Sequence, residues 1–241
     1  MDKKTNSLND LTFYKTHPSP CPYLPDRLET KVLTNLNLPD SEYIYSGLLQ
    51  AGFRRSQHIA YKAFCENCTA CQSIRVLVDR FMPSKTQKRI IKRNHTLYRK
   101  IKPPHLTHTH YKLYQTYINT RHAGEEMANM TFKDIQAMVE NTNIDTVIVE
   151  YYDHETQKLC GWVLTDLTPY GPSMVYSVFD PTYTKESLGI YVILNHIELA
   201  IDLGVPYLFL GYWVKECQKM MYKTHFKPYE LHINHKWVQF Q

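Results

Sequence analysis

The segment from Met174 to Trp213 constrains the fold of this chain more than any other. Met174-Val175-Tyr176-Ser177-Val178-Phe179 is rich in β-branched and aromatic residues and closes at Asp180-Pro181, which reads as a buried strand. Thr182 to Ser187 supply polar material for a helix start. Leu188, Ile190, Tyr191, Ile193, Leu194, Ile197, Leu199, Ala200, Ile201 and Leu203 then recur at helical spacing until Gly204-Val205-Pro206 stops them. Tyr207 to Trp213 is a second short apolar run and reads as another buried strand. Strand, helix and strand in this order predict one right-handed crossover between neighbours in a sheet. The loop from Asp180 to Gly189 then lies over a helix N-terminus, where backbone N–H groups can hold a phosphate or a developing oxyanion.

Upstream, residues 41–52 read as a short helix ending at Gly52, and Ser73 to Val78 as a strand. From Lys85 to Lys102 the pattern is helical and strongly basic until Pro103-Pro104. Lys112 to Arg121 and Thr131 to Glu140 predict two further helices, the second with Thr131 as N-cap and Asp134 in its first turn. Val147–Tyr152, Leu159–Leu167 and Ser173–Phe179 are successive strand candidates, the first two joined by the turn Asp153-His154-Glu155-Thr156. Leu231 to Phe240 reads as a closing β segment. The expected class is α/β (α+β), in the element order of an N-acyltransferase core, in which two splayed strands admit an acyl donor. The expected division is a cysteine-containing N-terminal region, 1–80, and a transfer domain, 81–241.

Acetyltransferases place several glycines at the helix N-terminus that follows the splay, to admit coenzyme A pyrophosphate. Here Gly189 alone remains, which argues for another donor. No G-x-S-x-G, P-loop or H-E-x-x-H pattern occurs, so hydrolases and nucleotide-driven enzymes have no motif support.

The formal charge of +5 is unevenly spread: Arg80, Lys85, Lys88, Arg89, Lys92, Arg93, Arg99, Lys100 and Lys102 run without an acidic residue after Asp79. Such a cluster is either a solvated helix face or a surface for a polyanion. No run approaches the ~20 apolar residues of a bilayer span, and the first twenty residues hold no apolar signal core, so a cytoplasmic location is expected. In a reducing compartment the six cysteines are thiols or metal ligands. Cys65-x-x-Cys68-x-x-Cys71, with Cys21 upstream, has spacing compatible with a tetrahedral metal, and equally with small buried residues.

Several phrases together resemble one family. FDPTYTKESLGIYVILNHIELA, LGVPYLFLGYWV and KMMYKTHFKP in the C-terminal half are similar to bacterial aspartate/glutamate leucyltransferases, relatives of the eukaryotic arginyl-tRNA–protein transferases. PCPYLPDR (20–27), GFRRSQHIAY (52–61), CENCTACQSIRV (65–76), FMPSKTQKRIIKRN (81–94) and TYINTRHAGEEM (116–127) extend the likeness over nearly the whole chain. The resemblance implies an aminoacyl-tRNA–protein transferase that moves leucine from leucyl-tRNA onto proteins beginning with Asp or Glu, marking them for N-degron proteolysis. Arginyl transfer is the alternative within the family, and a non-catalytic RNA-binding zinc module or a coenzyme A-dependent acetyltransferase lies outside it. Neither a membrane nor DNA is an expected partner.

Aminolysis of an activated ester requires no cofactor. Eukaryotic relatives use cysteines in this region for zinc or an iron–sulfur cluster, which makes Cys21, Cys65, Cys68 and Cys71 the metal candidates. This chain departs from them at Leu24, where they carry a second cysteine. For RNA contact the resemblance points to Lys85, Lys88, Arg89, Lys92 and Arg93, with Gly189 at the cradle. An acidic N-terminus needs fixed cations: Arg54 and Arg55, in a short turn after Gly52-Phe53, are the first candidates, and Lys219 and Lys223, one helical turn apart, the second.

Overall fold

The computed structural model describes residues 11–121, 123–124, 126–183 and 186–241; the expected leader before residue 11, and Thr184 and Lys185 of the loop before the long helix, lie outside them. The chain runs β1 (Tyr14–Lys15), β2 (Ser19–Pro20), β3 (Leu28–Glu29), β4 (Lys31–Asn35), α1 (Ser41–Gln50), β5 (Arg54–Ser56), β6 (Ile59–Ala63) and β7 (Gln72–Leu77). It continues through α2 (Lys85–Arg93), β8 (Leu97–Lys102), α3 (His108–Arg121), α4 (Phe132–Glu140), β9 (Thr146–Asp153), β10 (Leu159–Asp166) and β11 (Ser173–Phe179). Then follow α5 (Leu188–Asp202), β12 (Tyr207–Trp213), a 3₁₀ segment Gln218–His225, and the hairpin β13 (Tyr229–Ile233) and β14 (Lys236–Phe240).

An eight-stranded sheet in the order β14-β13-β7-β12-β11-β10-β9-β8 carries the molecule, and a four-stranded sheet, β1-β4-β6-β5, stands beside it. β7 comes from the N-terminal region yet sits between β12 and β13, so the large sheet is built across residue 80. Strands β8 to β11 are antiparallel and β11 pairs with β12 in parallel, as the crossover requires. Both faces of the sheet are covered. Val149, Tyr151 and Val163 pack under α5, while Ile148, Trp162 and Leu164 pack against α3 and α4, the two sets alternating along β9 and β10 as strand period demands.

The helix expected over Lys85–Lys102 is half helix and half strand. Ser84 caps α2 through a capping box with Gln87, and the helix ends at Arg93. Leu97–Lys102 leaves it to become β8, the outer strand against β9. Its Arg99, Lys100 and Lys102 suit an edge, where charge opposes pairing with another chain.

Inside the core, His196 of α5 is held by the Val192 carbonyl at 2.8 Å, the Tyr151 hydroxyl at 2.9 Å and the Thr165 hydroxyl at 3.0 Å. Burial pushes its pKa down to about 4, so the ring is a neutral structural link. Among the described residues no helix is long and apolar enough to cross a membrane.

Candidate active site

Strands β11 and β12 are paired at Ser173↔Phe209 alone among the described residues, at the start of β11, and diverge beyond it. The gap opens into a cavity of about 610 Å³ over the N-terminus of α5. Phe179, Leu188, Ile190, Ile193 and Leu210 give it an apolar wall, and Arg54, Arg121, Lys219 and Lys223 bring four basic side chains; no carboxylate is among the described lining residues. Ser187 precedes α5 in the left-handed region and makes no side-chain cap; its carbonyl accepts from the Ile190 and Tyr191 N–H groups, and the Leu188 and Gly189 N–H groups have no acceptor among the described residues. Gly189 lines the same cavity, but a Cβ there would stand 3.1 Å from the Phe179 ring. Its lack of a side chain is first a packing requirement.

Arg54, Arg55 and Ser56 form strand β5, not a turn, and this separates the two arginines, because successive side chains on a strand face opposite ways. Arg55 points inward. Its Nε donates to Asp166 Oδ2 at 2.8 Å, its Nη2 to Asp166 Oδ1 at 2.5 Å and its Nη1 to the Gln57 carbonyl at 2.7 Å, with both side chains of the pair 0% exposed. Thr146 adds a hydroxyl bond to Asp166 at 2.9 Å. The fork expected to take a substrate carboxylate is occupied by a carboxylate of the protein, so Arg55 is withdrawn as a binding residue. It joins the small sheet to β10 instead.

Arg54 faces the cleft. Its Nη2 reaches the Met174 and Val175 carbonyls of β11 at 3.4 Å, and its guanidinium stands 5.9 Å from the Tyr212 ring centroid. Gly211 makes this possible. It has φ +77° at a register shift between Phe209 and Tyr212, and a Cβ on it would fall 1.1 Å from Arg54 Nη1. A glycine in a strand interior signals such a bulge or close approach, so Gly211 in Leu-Gly-Tyr-Trp was the available clue.

Lys219 and Lys223 both line the cleft from the 3₁₀ segment. Lys223 Nζ donates to the Leu210 carbonyl at 2.8 Å and the Tyr212 carbonyl at 2.7 Å. Burial, then the Arg54 charge, push its pKa down to about 7, which makes it a poor fixed cation for a carboxylate. The basic side chains Lys85, Lys88, Arg89, Lys92 and Arg93 are exposed along α2. Asn94 ties the end of that helix to the cleft, its Nδ2 donating at 2.8 Å to the Ile90 carbonyl and to the Glu186 carbonyl just before α5.

Burial, then the neighbouring Cys21, Cys65 and Cys68, push the Cys71 thiol up to about 12, so the four sulfurs share one neighbourhood. The backbones of Cys65 and Cys68 pair in an isolated antiparallel β-bridge. The donor type suits a thiolate-bound metal, but no three His, Cys, Asp or Glu residues among those described are placed to share an ion. Cys160 is buried, its Sγ 3.3 Å from the Lys158 carbonyl and 3.1 Å from the Tyr183 hydroxyl.

The arginine-tRNA-protein transferase N-terminus model matches residues 19–89, and the C-terminus model of the same enzymes matches residues 109–233. The aspartate/glutamate leucyltransferase of Hyphomonas neptunium is 44% identical over 229 residues, spanning 94% of this chain and 91% of its own. The chain belongs to the arginine-tRNA-protein transferase family. A second relative in it, the aspartate/glutamate leucyltransferase of Gluconacetobacter diazotrophicus, is 44% identical over 226 residues, spanning 94% of this chain and 86% of its own. Among solved structures, the C-terminal domain of a protein named as a lysylphosphatidylglycerol synthetase of Agrobacterium fabrum shares the fold. Its TM-score is 0.50 at 11% identity, over 82% of this chain and 63% of that one.

For a member of this family, three features of the cleft escaped the sequence reading: Asp166, which claims Arg55; Asn94, which couples α2 to α5; and Arg121, which lines the cavity from α3. A second cavity of about 350 Å³ lies beside Cys68, where Arg27, Lys215 and Glu216 surround Trp213. The Trp213 Nε1 is buried, with no partner among the described residues.

Proposed function

We propose that the cleft between β11 and β12 transfers leucine from leucyl-tRNA to the α-amine of proteins beginning with aspartate or glutamate. The observation that carries this is the cavity lining: an apolar wall and four basic side chains, of which Arg54, Arg121 and Lys219 are the cations, without a carboxylate among the described residues. A leucyl side chain is accommodated by the wall. An arginyl side chain would meet like charge, with no described carboxylate to accept its fork, whereas an acidic N-terminal residue finds cationic donors. The identity to curated aspartate/glutamate leucyltransferases supports the same choice.

The reaction is aminolysis of an ester. The α-amine nitrogen attacks the leucyl carbonyl carbon, an oxyanion forms, and the ribose oxygen leaves with a proton. Neither ATP nor a metal is needed for that bond change. Holding the two ends together can supply ~7–11 kcal/mol, and oxyanion stabilisation by N–H groups near the α5 N-terminus adds to it. Arg54 is the donor best placed for the acidic side chain, because the described bonds of its guanidinium are two long ones to carbonyls.

Helix α2 supports tRNA binding in this reading, since its exposed cations lead through Asn94 to the loop beneath the cleft. Lys88→Ala, Arg89→Ala and Arg93→Ala combined are expected to raise KM for leucyl-tRNA. The slope of log affinity against log salt should flatten by about 0.7–0.9 for each phosphate that the variant no longer neutralises. Helicity and Tm should hold, because all three side chains are exposed. An unchanged salt slope would remove α2 from the RNA path. The function is tested by offering purified protein leucyl-tRNA, arginyl-tRNA or acetyl-CoA with an Asp-initiated peptide: leucyl-tRNA alone should support efficient labelling.

A zinc ion or iron–sulfur group held by Cys21, Cys65, Cys68 and Cys71 would stay apart from this chemistry. Metal analysis of protein purified without oxygen decides it. Near-stoichiometric metal, with a Tm lowered by chelation, would assign the cysteines to that group; metal-free protein of equal stability would leave them structural.

A further inference from the structure

The divergence of β11 and β12 leaves main-chain groups of both strands without their sheet partners, and two cations occupy the gap. Arg54 answers the β11 carbonyls of Met174 and Val175, and Lys223 answers the β12 carbonyls of Leu210 and Tyr212. The two cations differ in what they can do. A guanidinium keeps its proton at any working pH, whereas an ammonium can release one.

Lys223 is arranged for release. An ammonium has three N–H bonds and two of them go to the carbonyls at 2.8 and 2.7 Å, while the residue lines the cavity. The neutral amine has two N–H bonds and can keep both contacts, leaving a lone pair where the third proton was. The nitrogen therefore stays anchored in either protonation state.

Its charged surroundings come from several elements. Arg54 of β5 opposes the ammonium, and Cys217, at the head of its own segment, favours it. Lys219 and Tyr222 share its segment, Arg121 and Tyr117 of α3 and Tyr176 of β11 line the same cavity, and Tyr212 contributes its carbonyl. Burial outweighs the rest, and the resulting pKa of about 7 matches the working range of a group that takes up and returns a proton.

We propose that Lys223 is the proton carrier of the transfer: its anchored Nζ accepts a proton from the attacking α-amine and returns it to the departing ribose oxygen. This rests on the aminoacyl-transfer reading given above. In the first half, the C–N bond forms, the carbonyl π pair moves to oxygen, and the proton on the new amide nitrogen passes to the Lys223 lone pair. In the second, the oxyanion collapses, the C–O bond breaks, and the Lys223 ammonium protonates the leaving hydroxyl. Lysine ends as it began, and the ester and amine have become an amide and an alcohol.

Lys223→Arg retains a cation able to donate to both carbonyls but cannot give up its proton. It is expected to lower kcat by at least about 100-fold, at the low end of general acid–base contributions, with KM for both substrates and Tm close to wild type. A structural role alone would be largely preserved by arginine. Activity within a few-fold of wild type would overturn the proposal.

The second measurement uses wild-type protein, and so holds even if the variant fails to fold. The pH dependence of kcat is recorded with an Asp-initiated peptide and with an acidic peptide ending in a less basic hydrazine in place of the α-amine. An acid limb that stays near neutrality with both acceptors supports Lys223 as the titrating group. A limb that moves with the acceptor means that the acceptor's own deprotonation is read, and the carrier role fails. Wild-type protein that transfers leucine to neither acceptor would instead overturn the aminoacyl-transfer reading itself.

Discussion

Arg55→Met is expected to destabilise the protein by about 3–5 kcal/mol, because it leaves the Asp166 carboxylate buried without its partner. For a chain of this size that corresponds to a Tm lower by roughly 6–20 °C. The structural basis is specific: the Arg55 fork and the Thr146 hydroxyl together satisfy both Asp166 oxygens, and neither side chain of the ion pair is exposed. Arg55→Met combined with Asp166→Leu removes both charges and is expected to recover most of the loss, since apolar replacement of a buried pair is often neutral or better. Thermal unfolding of the two single variants and the double variant checks this. Additive losses in the double variant would show that the pair is not the coupled joint between β5 and β10. Had Arg55 bound substrate, the single variant would keep its Tm and lose turnover.

This contrast shows where the sequence was legible. The strand–helix–strand of β11, α5 and β12 was readable because each element announces itself locally, through an apolar run of the right period and a stop signal. Thr131 as a cap was readable for the same reason. What failed depends on partners distant in the chain. Leu97–Lys102 continues a basic pattern that looks helical in isolation, and pairing with β9 makes it a strand. Asp166 lies 111 residues from the arginine it holds, so nothing near Arg55 reveals that its fork is taken. The cationic lining of the cleft was half visible: Lys219 and Lys223 belong to it, and Arg121 joins it only through the packing of α3 over β11.

Arg54→Gln is expected to reduce kcat/KM for Asp-initiated peptides by roughly one to two decades, the worth of a charge-assisted hydrogen bond of ~1.5–3 kcal/mol. Turnover of Asn-initiated peptides should change far less, so the preference between them narrows. Arg54→Lys should fall between, because an ammonium lacks the planar fork. Gly211→Ala offers a second route to the same effect while leaving the arginine in place. Its new Cβ would coincide with Arg54 Nη1, and its φ of +77° disfavours any side chain. Both variants should therefore lose discrimination together. If Gly211→Ala loses it and Arg54→Gln does not, the strand bulge and not the guanidinium shapes the pocket. If both keep it, the acidic residue is held elsewhere, and the cavity bearing Arg27 and Lys215 is the next place to test.

The most direct test of the account is the acceptor preference of the wild-type protein with leucyl-tRNA as donor, measured as kcat/KM for two peptides that differ only in Asp or Asn at the first position. The cationic cleft predicts a preference for aspartate of at least about tenfold, reduced by added salt as an electrostatic contact requires. Equal rates with the two peptides would contradict it.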